Sequence, residues 1–193
     1  MSVHATTRAA LIAWALDDPE QDGLRHTYLA FLDSAADGCL RAHAPGHITA
    51  SALVVDAAVS HVLLTLHPRV GKWVQLGGHC EPDDPSIEAA ALREAVEESG
   101  IDALQLVPGP VHLHTHPITC SLGVPTRHLD VRFAAVAPPT PDGSLPTIVC
   151  SDESLDLRWW PLDRLPNSEL AALVDVAIRR IRAIAAPSWQ TSP

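Results

Sequence analysis

Residues 77–101 decide the fold: Gly77-Gly78-His79-Cys80-Glu81-Pro82-Asp83-Asp84, then PSIEAAALREAVEESGI from Pro85 to Ile101. The glycine pair ends a short extended run, Trp73-Val74-Gln75-Leu76. A helix is expected from about Pro85 to Ser99, with Gly100 as its stop signal. Within it Glu94, Glu97 and Glu98 stand at i, i+3 and i+4 and so share one face. Like charges at that spacing repel by about 0.2–0.5 kcal/mol per pair. Glu97 and Glu98 also fall in the last turn, where the helix dipole favours cations. The chain's final helix follows that preference, with Arg179, Arg180 and Arg182 at its C-terminal end. Stability therefore does not account for the acidic end at 97–98. Oxygen donors on one face suit a hard divalent cation, Mg²⁺ or Mn²⁺. The bare backbone at Gly78 lets a carbonyl join them, and Arg93 can brace a carboxylate or reach a phosphate oxygen. The three glutamates taken alone fit a solvated acidic helix face equally well.

Outward from this helix the periodicity changes. Ile48–Val55 and His61–Leu66 are β-branched-rich runs around a turn at Ala57–Ser60, an antiparallel pair. Further strands are expected near 104–107, 110–116, 127–137 and 155–160. The last helix spans about 168–185, with Leu170, Val174, Ile178 and Ile181 on one face. Residues 1–45 read as helical. Leu11, Ile12, Ala15 and Leu16 form one stripe, and Leu24, Tyr28, Leu29, Leu32 and Ala35 form a second, broken at Asp17-Asp18-Pro19. These helices are expected to pack or dimerise rather than to carry a site. The whole is an α+β layer fold with an N-terminal helical extension (1–45), a main domain (46–187) and a short tail (188–193).

The 193 residues allow one domain plus an extension. A net charge of −10 disfavours a nucleic-acid backbone as partner and leaves small anions to be bound through a cation or converging arginines. Cys39, Cys80, Cys120 and Cys150 form no CxxC pair, so neither a zinc ribbon nor a redox motif is expected. No apolar run approaches the ~20 residues of a membrane span, and AALIAWAL is followed at once by DDPE rather than by a cleavage pattern. A cytoplasmic protein with neither membrane nor nucleic-acid partner is expected.

The stretch from Gly78 to Ile101 resembles the signature box of the Nudix hydrolases, Gly-x5-Glu-x7-Arg-Glu-U-x-Glu-Glu-x-Gly-U, where U is a bulky aliphatic residue. Arg93-Glu94, Glu97-Glu98 and Gly100-Ile101 match in identity and spacing. Asp84 stands where glutamate is usual, eight residues rather than seven separate it from Arg93, and Ala95 replaces a larger side chain. The family role of the upstream acid is therefore not transferred to Asp84. The LGGH turn and ESLDLRWWPLDRLP extend the likeness over about residues 45–185. The resemblance implies an α/β/α sandwich with a mixed central sheet. It also implies Mg²⁺- or Mn²⁺-dependent hydrolysis of a diphosphate in a nucleotide sugar, dinucleotide or nucleoside triphosphate. Glu97 and Glu98 would be the main metal ligands, the Gly78 carbonyl an extra one, and Glu94 a ligand or orienter held by Arg93. The general base would be Glu98 or Glu153, the latter in the SDES loop, where an exposed turn is the equal alternative. A homodimer is the family's habit.

His112, His114 and His116 share one strand face, as do His128, Asp130 and Arg132. The histidine row is either a second metal site or a polar sheet face in which Asp130 and Arg132 pair. The polar face is preferred, because spacing fixes no fourth ligand. Arg127, Arg132 and His128 are expected substrate contacts, and Trp73, Trp159 and Trp160 the nearest rings for stacking a base. Two other functions compete: a catalytically silent nucleotide sensor of the same fold, and an isomerase of isoprenoid diphosphates, for which Cys80 would be the catalytic thiol. The intact glutamate set speaks against the first, and the absence of that branch's arginine-rich box against the second.

Overall fold

The computed structural model describes residues 1–119 and 123–185. Cys120 and the expected C-terminal tail lie outside them. Helices α1 (Val3–Ala13) and α2 (Pro19–Ser34) precede strands β1 (His47–Val55), β2 (His61–His67), β3 (Lys72–Val74) and β4 (Leu76–His79). Helix α3 (Ile87–Ser99), β5 (Gln105–Leu106), β6 (His112–Thr119), β7 (Pro125–Val136), β8 (Leu157–Pro161) and α4 (Ala171–Ala185) follow, with one 3₁₀ turn at Ser168–Leu170. Among the described residues no helix is long and apolar enough to cross a membrane.

The strands form one mixed eight-stranded sheet, ordered β3-β2-β1-β7-β5, with β4 paired to β1, β6 to β7 and β8 to β2. The β1–β7 pair is parallel and carries the longest register, from His47 opposite His128 to Val55 opposite Val136. All nine residues of β1 are buried, as expected of a central strand covered on both faces. Its other edge is divided: β4 pairs with Thr49–Ala52, and β2 with Val54–Val55. The division opens the sheet where the site lies.

Alternation along β1 sends Ile48, Ala50, Ala52 and Val54 into a core shared with α1, α2 and α3, while Leu53 and Val55 join a second core under α4. Helices thus cover both faces, and the expected α/β/α layering with a mixed sheet is found. The N-terminal helices do more than precede it. Gln21 accepts from Leu113 N–H at 2.7 Å and donates to Leu113 O at 3.3 Å, and Tyr28 donates to His114 O at 2.8 Å. They give the backbone of β6 polar partners and bury Leu11, Tyr28 and Leu32 in the main core. The first expected stripe is cut short. Helix α1 stops at Ala13, Ile12 is 52% exposed, and Ala15 and Leu16 lie in the connector before Asp18, which caps α2.

Two strand expectations change. The run 73–76 is not one strand ended by glycines: β3 pairs with β2, Gln75 intervenes, and β4 continues through Gly77 and Gly78. The β6–β7 hairpin also reaches further than expected, to Thr119 opposite Pro125, because cross-strand pairing outruns the polar alternation that marked it.

Candidate active site

The C-terminal half of α3 lies against β4. Ser86 caps the helix, accepting from Ala89 N–H at 3.2 Å, and Gly100 ends it with φ 70°. The fully buried Ala90, Ala91 and Ala95 let it approach the sheet closely, which accounts for the small residue at 95. Gly77 and Gly78 are required by contact. A Cβ on Gly77 would lie 2.3 Å from Ser51 Cβ, and one on Gly78 would lie 2.6 Å from Glu94 Oε2. Strand β4 pairs with β1 alone. From its other edge Gly77 N–H donates to Glu98 Oε2 at 2.8 Å.

Arg93 organises the acidic group. Its Nε and Nη2 donate to the two oxygens of buried Asp84, both at 3.1 Å. Nη1 donates to Glu94 Oε1 at 3.1 Å and Glu97 Oε2 at 3.0 Å, and Nη2 also to His79 O at 2.9 Å. Asp84, for which the sequence supplied no role, is thus the fork-to-fork partner of Arg93. It also accepts from Glu81 N–H at 2.7 Å, and the additional residue before Arg93 is absorbed in the loop.

The glutamates do not share one environment. The Glu94 side chain is 12% exposed and Glu97 57%, while Glu98 is buried. Burial pushes the Glu98 carboxyl up to about 8 and Glu94 up to about 7, and the charges of Glu97 and Glu153 add to both. Glu153 sits in an exposed turn whose ends are tied down. Val149 N–H donates to Ser99 O at 2.8 Å, Thr65 to the Ser154 hydroxyl at 2.6 Å, and Leu155 N–H to Leu66 O at 3.0 Å. Glu94 Oε2, Glu97 Oε1 and Glu98 Oε1 have no protein partner among the described residues. Crowded carboxylates that resist ionisation, with uncommitted oxygens, fit a hard cation that keeps part of its hydration shell. They do not form a closed cage. Among the described residues, the one group of three metal-capable side chains with ligand atoms all within 4.8 Å of one another is His47, His79 and His128.

The other face of the sheet at this end is polar throughout. Asp130 accepts from Thr49 at 3.2 Å, Ser51 at 2.9 Å, Gln75 at 3.0 Å and Arg132 Nε at 2.9 Å, so the Asp130–Arg132 pair expected of a polar face is present. His112, His114 and His116 stand opposite Arg132, Asp130 and His128. His116 adjoins His128 with ring centroids 5.3 Å apart. Alternation leaves Arg127 on the opposite face from His128 and Arg132, where it donates to Thr115 at 3.2 Å. It is not brought into the polar cleft. Trp73 is half-buried edge-to-face with Trp160 at 5.2 Å, with the Arg158 guanidinium 5.5 Å from its centroid. Trp159 donates to Pro146 O at 3.1 Å and packs on the main core. Cys80 is buried and its thiol pushed up by that burial, the reverse of an activated thiolate. Sequence reasoning missed Asp84, His47 and His79. The last two sit at strand ends, His47 opening β1 and His79 closing β4, and belong to no pattern.

The model of the NUDIX domain matches residues 45–181. A hydrolase of the NUDIX family from Clostridium perfringens is 24% identical with a TM-score of 0.52, covering 72% of this chain and 97% of that one. An Ap4A hydrolase from C. elegans is 21% identical (TM-score 0.47, 72% and 96% covered). A MutT protein from Methanosarcina mazei Go1 is 23% identical (TM-score 0.47, 75% and 99% covered). No curated protein sequence matches the chain. The first of these structures shows the same fold. The chain belongs to the NUDIX domain family, and its class is that of the Nudix hydrolases.

Proposed function

We propose that the protein hydrolyses the diphosphate linkage of a nucleoside diphosphate derivative (nucleotide sugar, dinucleotide or nucleoside triphosphate) with Mg²⁺ or Mn²⁺ held by Glu94, Glu97, Glu98 and the Gly78 carbonyl. One observation carries this: carboxylates forced together at the end of α3, with one oxygen each uncommitted, around an arginine that holds the others in place. When bound there, the cation supplies Lewis-acid charge to the phosphate oxygens and lowers the pKa of the attacking water. The chain's own residues do the rest. Arg93 fixes the carboxylates through Asp84, Glu94 and Glu97, so little reorganisation is needed when the polyanion arrives. Gly77 N–H orients Glu98. Glu153 is assigned as the general base. It lies close enough to add to the rise of Glu94 and Glu98, has no hydrogen bond or ion pair among the described residues, and rides a loop anchored at both ends. Arg132, whose Nε is engaged by Asp130, and half-buried Trp73 are assigned to the substrate.

A screen of nucleotide sugars, dinucleotides and nucleoside triphosphates with Mg²⁺ and Mn²⁺, reading phosphate release, tests the activity. No turnover on any class, with tight nucleotide binding, would instead support the silent sensor. Glu153→Gln should lower kcat by about 10²–10³-fold with KM changed by less than about threefold. An unchanged kcat removes Glu153 from the role.

A further inference from the structure

On the face of β4 opposite Glu94, strand register brings together histidines that are far apart in sequence: His47 at the start of β1, His79 at the end of β4 and His128 near the start of β7. The rings are mutually adjacent, with centroids 5.1 Å apart for His47–His79, 4.9 Å for His47–His128 and 5.1 Å for His79–His128. Their ligand atoms all lie within 4.8 Å of one another. His47 is only 1% exposed, and its Nδ1 lies 3.3 Å from the His43 carbonyl. That contact places the proton on Nδ1 and leaves the Nε2 lone pair free. Nε2 of His47 and Nε2 of His128 are both buried without a hydrogen-bond partner. Two unsatisfied buried imidazole nitrogens in one cluster are costly unless something accepts their lone pairs. A histidine whose Nδ1–H is held by a backbone carbonyl is how metal-ligating imidazoles are commonly oriented.

We propose that His47, His79 and His128 form a second cation site, separate from the glutamate site and selective for a borderline transition-metal ion of the Zn²⁺ class. Three neutral nitrogens suit such an ion, with a remaining position for water or a ligand oxygen, and they suit Mg²⁺ poorly. Burial holds all three imidazoles in the neutral form that ligation needs, His128 down to about 4 and His79 down to about 3. Nearby Asp130 is already engaged by Thr49, Ser51, Gln75 and Arg132, so the site works through nitrogen alone. The site is not the histidine row of β6, for which the sequence favoured a polar face over a metal site. His112, His114 and His116, adjacent in sequence, do not meet the same distance criterion, and His116 only flanks His128.

The test uses the full chain stripped with EDTA and titrated with Zn²⁺ alone against a chromogenic chelator, and in parallel with Co²⁺ alone. One Zn²⁺ per chain and the visible absorption of low-coordinate Co²⁺ are expected. His79→Ala and His128→Gln should each weaken Zn²⁺ binding by at least about 100-fold, beyond what loss of an outer-sphere partner costs. Glu97→Gln and Glu98→Gln should leave it within about threefold of wild type. Because His79 and His128 are partly exposed, their variants are expected to fold, which far-UV circular dichroism verifies. No Zn²⁺ uptake by the wild type, uptake unaffected by both histidine variants, or uptake lost in the glutamate variants would each overturn the proposal.

Discussion

Two polar regions lie on either side of β4, and they are built on opposite principles. At the end of α3 the carboxylates are close neighbours in sequence, and an arginine one residue away restrains them. On the sheet face, imidazoles drawn from three strands are brought together by the register of β1 with β4 and β7. The first region is crowded with like charge that burial makes hard to ionise; the second is crowded with bases that burial keeps neutral. Both are electrostatically unsatisfied, but toward different ligands: oxygen donors for a hard cation, nitrogen donors for a softer one. A single strand thus separates two donor chemistries, and adjacency in space does not make them one site.

The largest effect expected from breaking this contrast is on turnover. Glu98→Gln should reduce diphosphate hydrolysis by about 10²–10⁴-fold in steady-state assays. If activity persists, the acidic end of α3 is not where the catalytic cation acts. Next in size is a stability effect on the other side of β4. Asp130→Ala leaves Arg132 buried without its partner and should cost about 3–5 kcal/mol in urea unfolding. Glu97→Gln, at a half-exposed side chain, should cost about 0.5 kcal/mol or less. Equal losses would mean that both regions are structural in the same sense.

The smallest effect is the pH dependence of the metal-free protein, where the two regions have opposite signs. Glu94 and Glu98, raised by burial to about 7 and about 8, make the folded state bind more protons than the unfolded chain from about pH 4.5 upward. They therefore lower stability as pH rises through 8. His112 and His114, held down to about 4 by partial desolvation and by the charge of Arg132, make the unfolded chain bind more protons below about pH 6.5. They lower stability as pH falls toward 4. Melting temperature should decline by a few degrees toward both ends. Glu98→Gln should flatten the alkaline limb, and His114→Gln the acid limb. Either variant acting on the other limb would contradict the assignment.

The helix expected from about Pro85 to Ser99, found at Ile87–Ser99, was legible because its determinants are local: Gly100 as its stop, and glutamates at helical spacing whose repulsion has no local remedy. The pairing of Asp130 with Arg132 was legible for the same reason, since residues two apart on a strand share a face. Arg127 was grouped with His128 and Arg132, but strand alternation puts it on the opposite sheet face, where it donates to Thr115. The continuation of β4 through Gly77 and Gly78 was hidden because glycines at a strand end look like a stop. Here they are needed because Ser51 and Glu94 occupy the space a side chain would take. Asp84 was left without a role because an insertion breaks the motif's spacing, whereas a loop changes length without moving the carboxylate away from Arg93.

The amino-acid order by itself determined the helix bearing the glutamates, the family, and the alternating polar faces of β6 and β7. These depend on repeats of a few residues that local backbone geometry converts directly into shared faces. Only the tertiary structure decided which glutamates are buried, that the N-terminal helices give β6 polar partners, and that His47, His79 and His128 meet. Those outcomes depend on how far one strand slides against the next, and register is set by burial across the whole sheet rather than by any residue's neighbours in the chain.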